Sequence, residues 1–223
     1  MKRLAHGLAF AVLALACVAL KPAVVDWPRP DHRNERLYFP KAAGLRAASL
    51  GFHAAAADWL WLRTTQYYGA YRRGEHDLRY FDGLVEAVTA LDPRFVEAYD
   101  FYSLVLCIDS GEFARAVDVL KRGLLANPDD WRLPFKIGFI HYVFLRQYEV
   151  AAMWFDRAAA CPGATDFCRR FAAFSKRRAG DWQGSLLLWE ELRRTTDSAE
   201  MRALAAAMVE KCRREITAPS EGH

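Results

Sequence analysis

One apolar pattern returns four times along the chain at intervals of 34 to 35 residues, anchored at Leu78, Phe113, Tyr148 and Trp182. Three places after each anchor stand Phe81, Ala116, Ala151 and Ser185, and seven places after it Val85, Leu120, Phe155 and Trp189. Offsets of three and seven put all three positions on one face of an α-helix, whereas strands would alternate. Helix breakers separate the copies: Asp92-Pro93, Asn127-Pro128 and Pro162-Gly163. A fixed period of this length predicts stacked helical hairpins, each burying its apolar face only against its neighbours.

The second helix of each unit is the clearer one. The spacing predicts helices over 113–126, 148–160 and 182–192, with Ala116 and Ala151 small enough to let two backbones approach. Gly111-Glu112 and Gly180-Asp181 predict the turn inside a hairpin, where one helix stops on glycine and the next starts on an acid. Near the end, Asp197 and Glu200 form a capping-box pattern ahead of Met201, Leu204, Ala205, Met208, Val209 and Cys212. This predicts an amphipathic cap helix over 197–216, followed by a flexible tail at 217–223. At the other end, segment 52–70 is apolar nearly all round, which predicts a buried helix whose Asp58 and Arg63 pair with each other or with a neighbour such as Arg46, a recognition position being the other reading.

The first 20 residues have a different character. Lys2-Arg3 precedes a run from Leu4 to Leu20 without a formal charge. Such a run is an export signal or a short membrane anchor, with a buried soluble helix as the remaining alternative. Ala14-Leu15-Ala16 would suit cleavage, and Cys17 would suit lipidation. Residues 21–41 carry Pro22, Pro28, Pro30 and Pro40 among charges and read as a tether. The repeats then occupy 42–196. Lys2-Arg3 favours export of the body, while Lys21, Arg29, Arg33 and Arg36 pull the other way under the positive-inside rule. The expectation is a membrane-anchored protein whose body is periplasmic.

The repeats resemble the tetratricopeptide repeat (TPR). Ala90-Leu91-Asp92-Pro93 matches the ending of that family's 34-residue unit, and Gly111-Glu112-Phe113-Ala114-Arg115-Ala116 matches its central signature. Ile137-Gly138 follows, then Tyr148, Ala151, Phe155 and Ala158, and the last copy opens on Gly180-Asp181-Trp182. The first copy has His76-Asp77 in place of the glycine signature, and the last has Ser185 and Leu192 where small residues are usual. The resemblance covers about residues 52–195 and implies an all-α fold, a right-handed α-solenoid with a C-terminal cap. It also implies that the first helix of each hairpin lines a groove for another protein or a peptide. By that register the groove residues are Asp100, Leu104, Cys107 and Ile108 in one unit, and Arg132, Phe135, Phe139, Tyr142 and Val143 in the next. Packing of Phe139 and Tyr142 on the next repeat or on the cap helix is the other reading of those two side chains.

Composition narrows the function classes. An apolar fraction of 53% supports a packed core rather than disorder, and a net charge of +4 is too mild to argue for nucleic acid. Basic clusters at Arg72-Arg73, Arg169-Arg170, Lys176-Arg177-Arg178, Arg193-Arg194 and Arg213-Arg214 are interspersed with acids and read as solvated faces or as contacts for anionic lipid or an acidic partner. Cys161 and Cys168 flank a helix–helix turn and could form a disulfide in an exported body. Cys107 and Cys212 read as core residues. The cysteines and scattered histidines have no metal-ligand spacing, and no nucleotide-binding, serine-hydrolase or zinc-protease motif occurs. The expectation is a non-enzymatic scaffold with no metal or cofactor, tethered through residues 4–20. Its work would be assembly of a cell-envelope complex. Service as the accessory subunit of an envelope enzyme, a secreted or lipidated form and self-association are the alternatives.

Overall fold

The computed structural model describes residues 42–217. The expected anchor, the tether and the tail beyond Thr217 lie outside the described residues. The chain divides into two units, one of Met1–Tyr38 with Ala70–Asp77, the other of Phe39–Gly69 with Leu78–His223. The described part of the first holds the last turn of a helix and a bend at Gly74, with Arg73 donating to Glu75 at 2.6 Å.

The second unit is all-α among the described residues. Its helices are α1 (Ala42–Ala48), α2 (His53–Arg72, to Gly69 in this unit), α3 (Phe81–Leu91), α4 (Val96–Val105, extended by a π-helical turn Leu106–Ser110), α5 (Phe113–Ala126), α6 (Arg132–Val143), α7 (Tyr148–Ala159), α8 (Asp166–Arg178), α9 (Trp182–Thr195) and α10 (Ala199–Thr217). From α3 onward each helix packs against the next. The pairs α4/α5, α6/α7 and α8/α9 are the hairpins of the repeat, and α10 covers the last one.

Three of the four sequence anchors are the first residues of helices: Phe113, Tyr148 and Trp182. The fourth, Leu78, lies one turn ahead of α3 and its carbonyl accepts from Phe81 N. All eight positions three and seven places after the anchors are buried. Gly111 and Gly180 both have positive φ, at +69° and +85°, a conformation that only glycine adopts without a Cβ penalty. In the middle unit, 35 residues after Gly111, Arg146 holds the same turn at φ +53°.

The core is in three parts. The first joins α2 to α6 around Leu84, Val88, Tyr102, Leu120 and Ile137. The second lies between α6, α7 and α8 around Phe135, Phe155 and Ala172. The third joins α8, α9 and α10 around Ala173, Trp189, Leu192 and Val209. Each fully buried large side chain contributes about 1.5–3 kcal/mol. Ser185 stands in the third part where the two preceding units have Ala116 and Ala151, and its hydroxyl is satisfied by donating to Ala173 O at 2.9 Å. A polar clamp ties the first hairpins together: Tyr102 donates to Asp82 at 2.6 Å and accepts from Arg115, whose guanidinium also reaches Asp82.

Three expectations change. Helix α2 is not buried all round. Ala57, Leu60 and Thr64 are buried, and Trp61 packs on Phe95 and Phe101, but Trp59 on the outer side is 64% exposed, and Phe52 and Leu62 are exposed too. The buried positions Ala57, Leu60 and Thr64 fall on one stripe of the helix. Asp58 and Arg63 fall on the exposed side, so they form no core ion pair. The cap helix starts at Ala199 rather than 197, and its N-cap is Ser198, whose Oγ accepts from Met201 N at 3.2 Å. Its inner stripe is as expected: Ala205, Val209 and Cys212 are buried, with Leu204 and Met208 packed beside them.

Candidate partner-binding face

The first helices α4, α6 and α8 share a face that hairpin packing leaves open. Helix α4 presents Glu97, Asp100, Leu104 and Ile108; α6 presents Arg132, Lys136, Phe139 and Val143. Each set keeps the offsets of three and four that hold side chains on one stripe. The two stripes are registered by charge. Arg132 Nη1 donates to Glu97 Oε1 at 2.9 Å, and Lys136 Nζ lies 3.0 Å from Asp100 Oδ1. Arg132 is also held from its own side by Asp130 at 2.6 Å. That hydrogen bond keeps the Asp130 carboxyl below its ordinary value and outweighs the effect of its partial burial.

Beyond these pairs the face turns apolar. Leu104 is 46% exposed, Ile108 60% and Phe139 36%, with Val143 and Phe167 also exposed. Adding the repeat length places Phe174 after Leu104 and Phe139, so the three form a row across α4, α6 and α8 at steps of 35 residues. Contact between α6 and α8 is aromatic: Phe171 lies 5.5 Å from Phe135, 6.4 Å from Phe139 and 6.1 Å from Tyr142. Phe174 is half-buried and stands edge-on to Trp189 at 5.0 Å.

Of the residues expected in the groove, Asp100, Leu104, Arg132 and Phe139 do lie on this face, the first and third inside ion pairs. Phe135 does not. At 8% exposed it is core, wedged among Phe155, Phe167 and Phe171. Tyr142 is half-buried and packs on Tyr148, Phe155 and Phe171. Cys107 is buried, and desolvation pushes its thiol up to about 11. Lys136, Phe167 and Phe174 were not anticipated, and Arg170 and Arg177 were named only as members of basic clusters. The 35-residue step applied to Leu104 and Phe139 would have found Phe174.

Cys161 and Cys168 are both free thiols, so the disulfide between them is not formed here. Cys168 is fully buried, while Cys161 is partly open and donates to Arg157 O at 3.5 Å. Among the described residues no group of three His, Cys, Asp or Glu side chains could hold a metal ion. His141 is engaged by Gln147 at 2.8 Å. A hollow beside the turn between α3 and α4 is lined by Arg46, His53, Asp92, Pro93 and Arg94. No helix among the described residues is long and apolar enough to cross a membrane.

The chain matches no known protein-family profile and no curated protein. Two solved structures are similar to it in chain path. One is a MamA double mutant (RS-1, ArsTM), 13% identical over 73% of this chain and 97% of its own, at a TM-score of 0.47. The other is a thermophilic TPR protein of Thermus thermophilus, 17% identical over 75% of this chain and 96% of its own, at a TM-score of 0.45. The architecture itself rests on the hairpins described above. It is a stack of TPR-like helical hairpins. Within it, the glycine turns and the small residues at Ala116 and Ala151 occupy the places the sequence resemblance implies.

Proposed function

We propose that the protein is a non-enzymatic scaffold that binds a segment of another protein on the face of α4, α6 and α8. The observation that carries this reading is the exposed apolar row continuing from Leu104 to Phe139, with Ile108, Val143 and Phe167 beside it. Repeat packing already buries one face of each helix, so a second apolar face is available to a partner. The uncharged run over residues 4–20 supports a tether that holds the scaffold at a membrane, with the body outside the cytoplasm and the partner an envelope protein. Assembly of an envelope complex is the role this combination suits.

The test is proximity labelling in intact cells with wild type and a Leu104→Glu, Phe139→Glu variant. Both side chains are partly exposed, so the variant should keep its helicity and melting temperature. A prey lost only from the variant supports the reading. An unchanged prey set, with folding intact, would remove this face from the function.

A further inference from the structure

We infer that the segment taken by this face is acidic as well as apolar, and that Arg170 and Arg177 on α8 are the residues that select it. The inference rests on the reading of α4, α6 and α8 as a partner-binding face.

Helix α8 carries one motif twice. Phe167 is followed three places on by Arg170, and Phe174 by Arg177. The four positions fall at offsets of three, seven and ten and so share one stripe. In both copies the guanidinium lies over the preceding ring, at 4.4 Å from the Phe167 centroid and 5.8 Å from that of Phe174. The rings hold the cations without neutralising them.

The other cations on α6 and α8 are engaged elsewhere. Arg132 is paired with Glu97 and Asp130, Lys136 with Asp100, Arg169 with Glu191, and Lys176 with Asp156. Arg178 turns to α7, where its guanidinium lies over the Tyr148 ring at 5.9 Å. Among the described residues, Arg170 and Arg177 have no carboxylate within ion-pair distance, and the Nε of each is buried without an acceptor. Both side chains are nevertheless only partly buried. Helix α8 holds five basic residues and one acid, Asp166, and that acid already accepts from Thr196. The face therefore runs from closed ion pairs at Glu97 and Arg132, through the apolar row, to two open guanidiniums.

A complementary ligand has apolar side chains for Leu104, Phe139 and Phe174, with carboxylates placed for Arg170 and Arg177. Guanidinium–carboxylate contacts can be bidentate, and on a partly dry aromatic surface they are stronger than in open water. A basic or purely apolar segment would leave both arginines without an acceptor.

The test is selection of a displayed library of random peptides on the full protein, followed by affinity measurement of the selected peptides. The expected result is enrichment of apolar residues together with Asp or Glu. Arg170→Gln, Arg177→Gln should weaken those peptides by about tenfold or more and flatten their salt dependence, with helicity and melting unchanged. Arg170→Glu, Arg177→Glu should turn the selected charge to Lys and Arg. If bound peptides show no acidic preference, or if the Gln variant holds them as tightly, the inference is overturned while the face remains a binding site. If the wild type retains no peptide that Leu104→Glu, Phe139→Glu releases, the underlying reading falls as well.

Discussion

The ring of Phe155 on α7 lies directly on Gly138 of α6: a Cβ at Gly138 would come within 2.9 Å of Phe155 Cδ1. The Ile137-Gly138 pair of the repeat is thus a contact requirement, since the missing side chain is the space the next helix's aromatic fills. Gly138→Ala should destabilise the protein by about 1–3 kcal/mol, because both the ring and the helix carrying it are packed against their neighbours. Chemical denaturation of the two proteins measures this. An unchanged midpoint would mean that α6 and α7 can separate at low cost.

Arg146 stands where Gly111 and Gly180 stand in the flanking units, and it keeps their left-handed backbone with a Cβ attached. That conformation costs an ordinary L-residue about 1–2 kcal/mol, partly offset by the entropy glycine loses on folding. Arg146→Gly should therefore stabilise the protein by about 0.5–1 kcal/mol. A lower melting temperature would show that the Arg146 side chain makes contacts worth more than the strain.

The carboxyl of Asp130 is held below its ordinary value of 3.8 by the hydrogen bond from Arg132. A depressed native value stabilises the fold above the unfolded value, and the stabilisation disappears as pH falls through the native one. Asp130→Asn should lower the melting temperature at neutral pH. The gap to wild type should close as the medium is acidified from the ordinary carboxylate value downward. A gap that stays constant with pH would remove the Asp130–Arg132 pair as its cause.

Thiol reactivity should rank by position. Cys107, Cys168 and Cys212 are buried and Cys161 is partly open. Burial raises the thiols of Cys107, Cys161 and Cys168 and so lowers their thiolate fraction at neutral pH. Alkylation of the native protein, followed by peptide mapping, should modify Cys161 ahead of the three buried ones. Modification of Cys168 at the same rate would mean that the turn between α7 and α8 opens.

The repeat was legible because helix burial is written in spacing: Ala116, Leu120, Ala151 and Phe155 announce the inner face of each second helix before any neighbour is known. The division of the first helices between core and open face was not. Phe135 and Phe139 are the same residue type four places apart, which is about 40° around the helix. That angle separates a wedge between α7 and α8 from an exposed ring. Only the position of Phe155, Phe167 and Phe171 decides it. Hydrophobicity likewise marks what α2 could bury and not what covers it, so Trp59 and Leu62 read as core. The open guanidiniums of Arg170 and Arg177 depend on which acids the adjacent helices bring near, and a doublet such as Arg169-Arg170 gives no sign that one member is paired and the other is not.

The three-part core gives the proposed ligand a mechanical meaning. A segment lying along Leu104, Phe139 and Phe174 touches one helix from each part, and no single hairpin side chain does so. Such a segment would act as a splint. Occupancy would couple the unfolding of the three parts, and partner release would free each from the others.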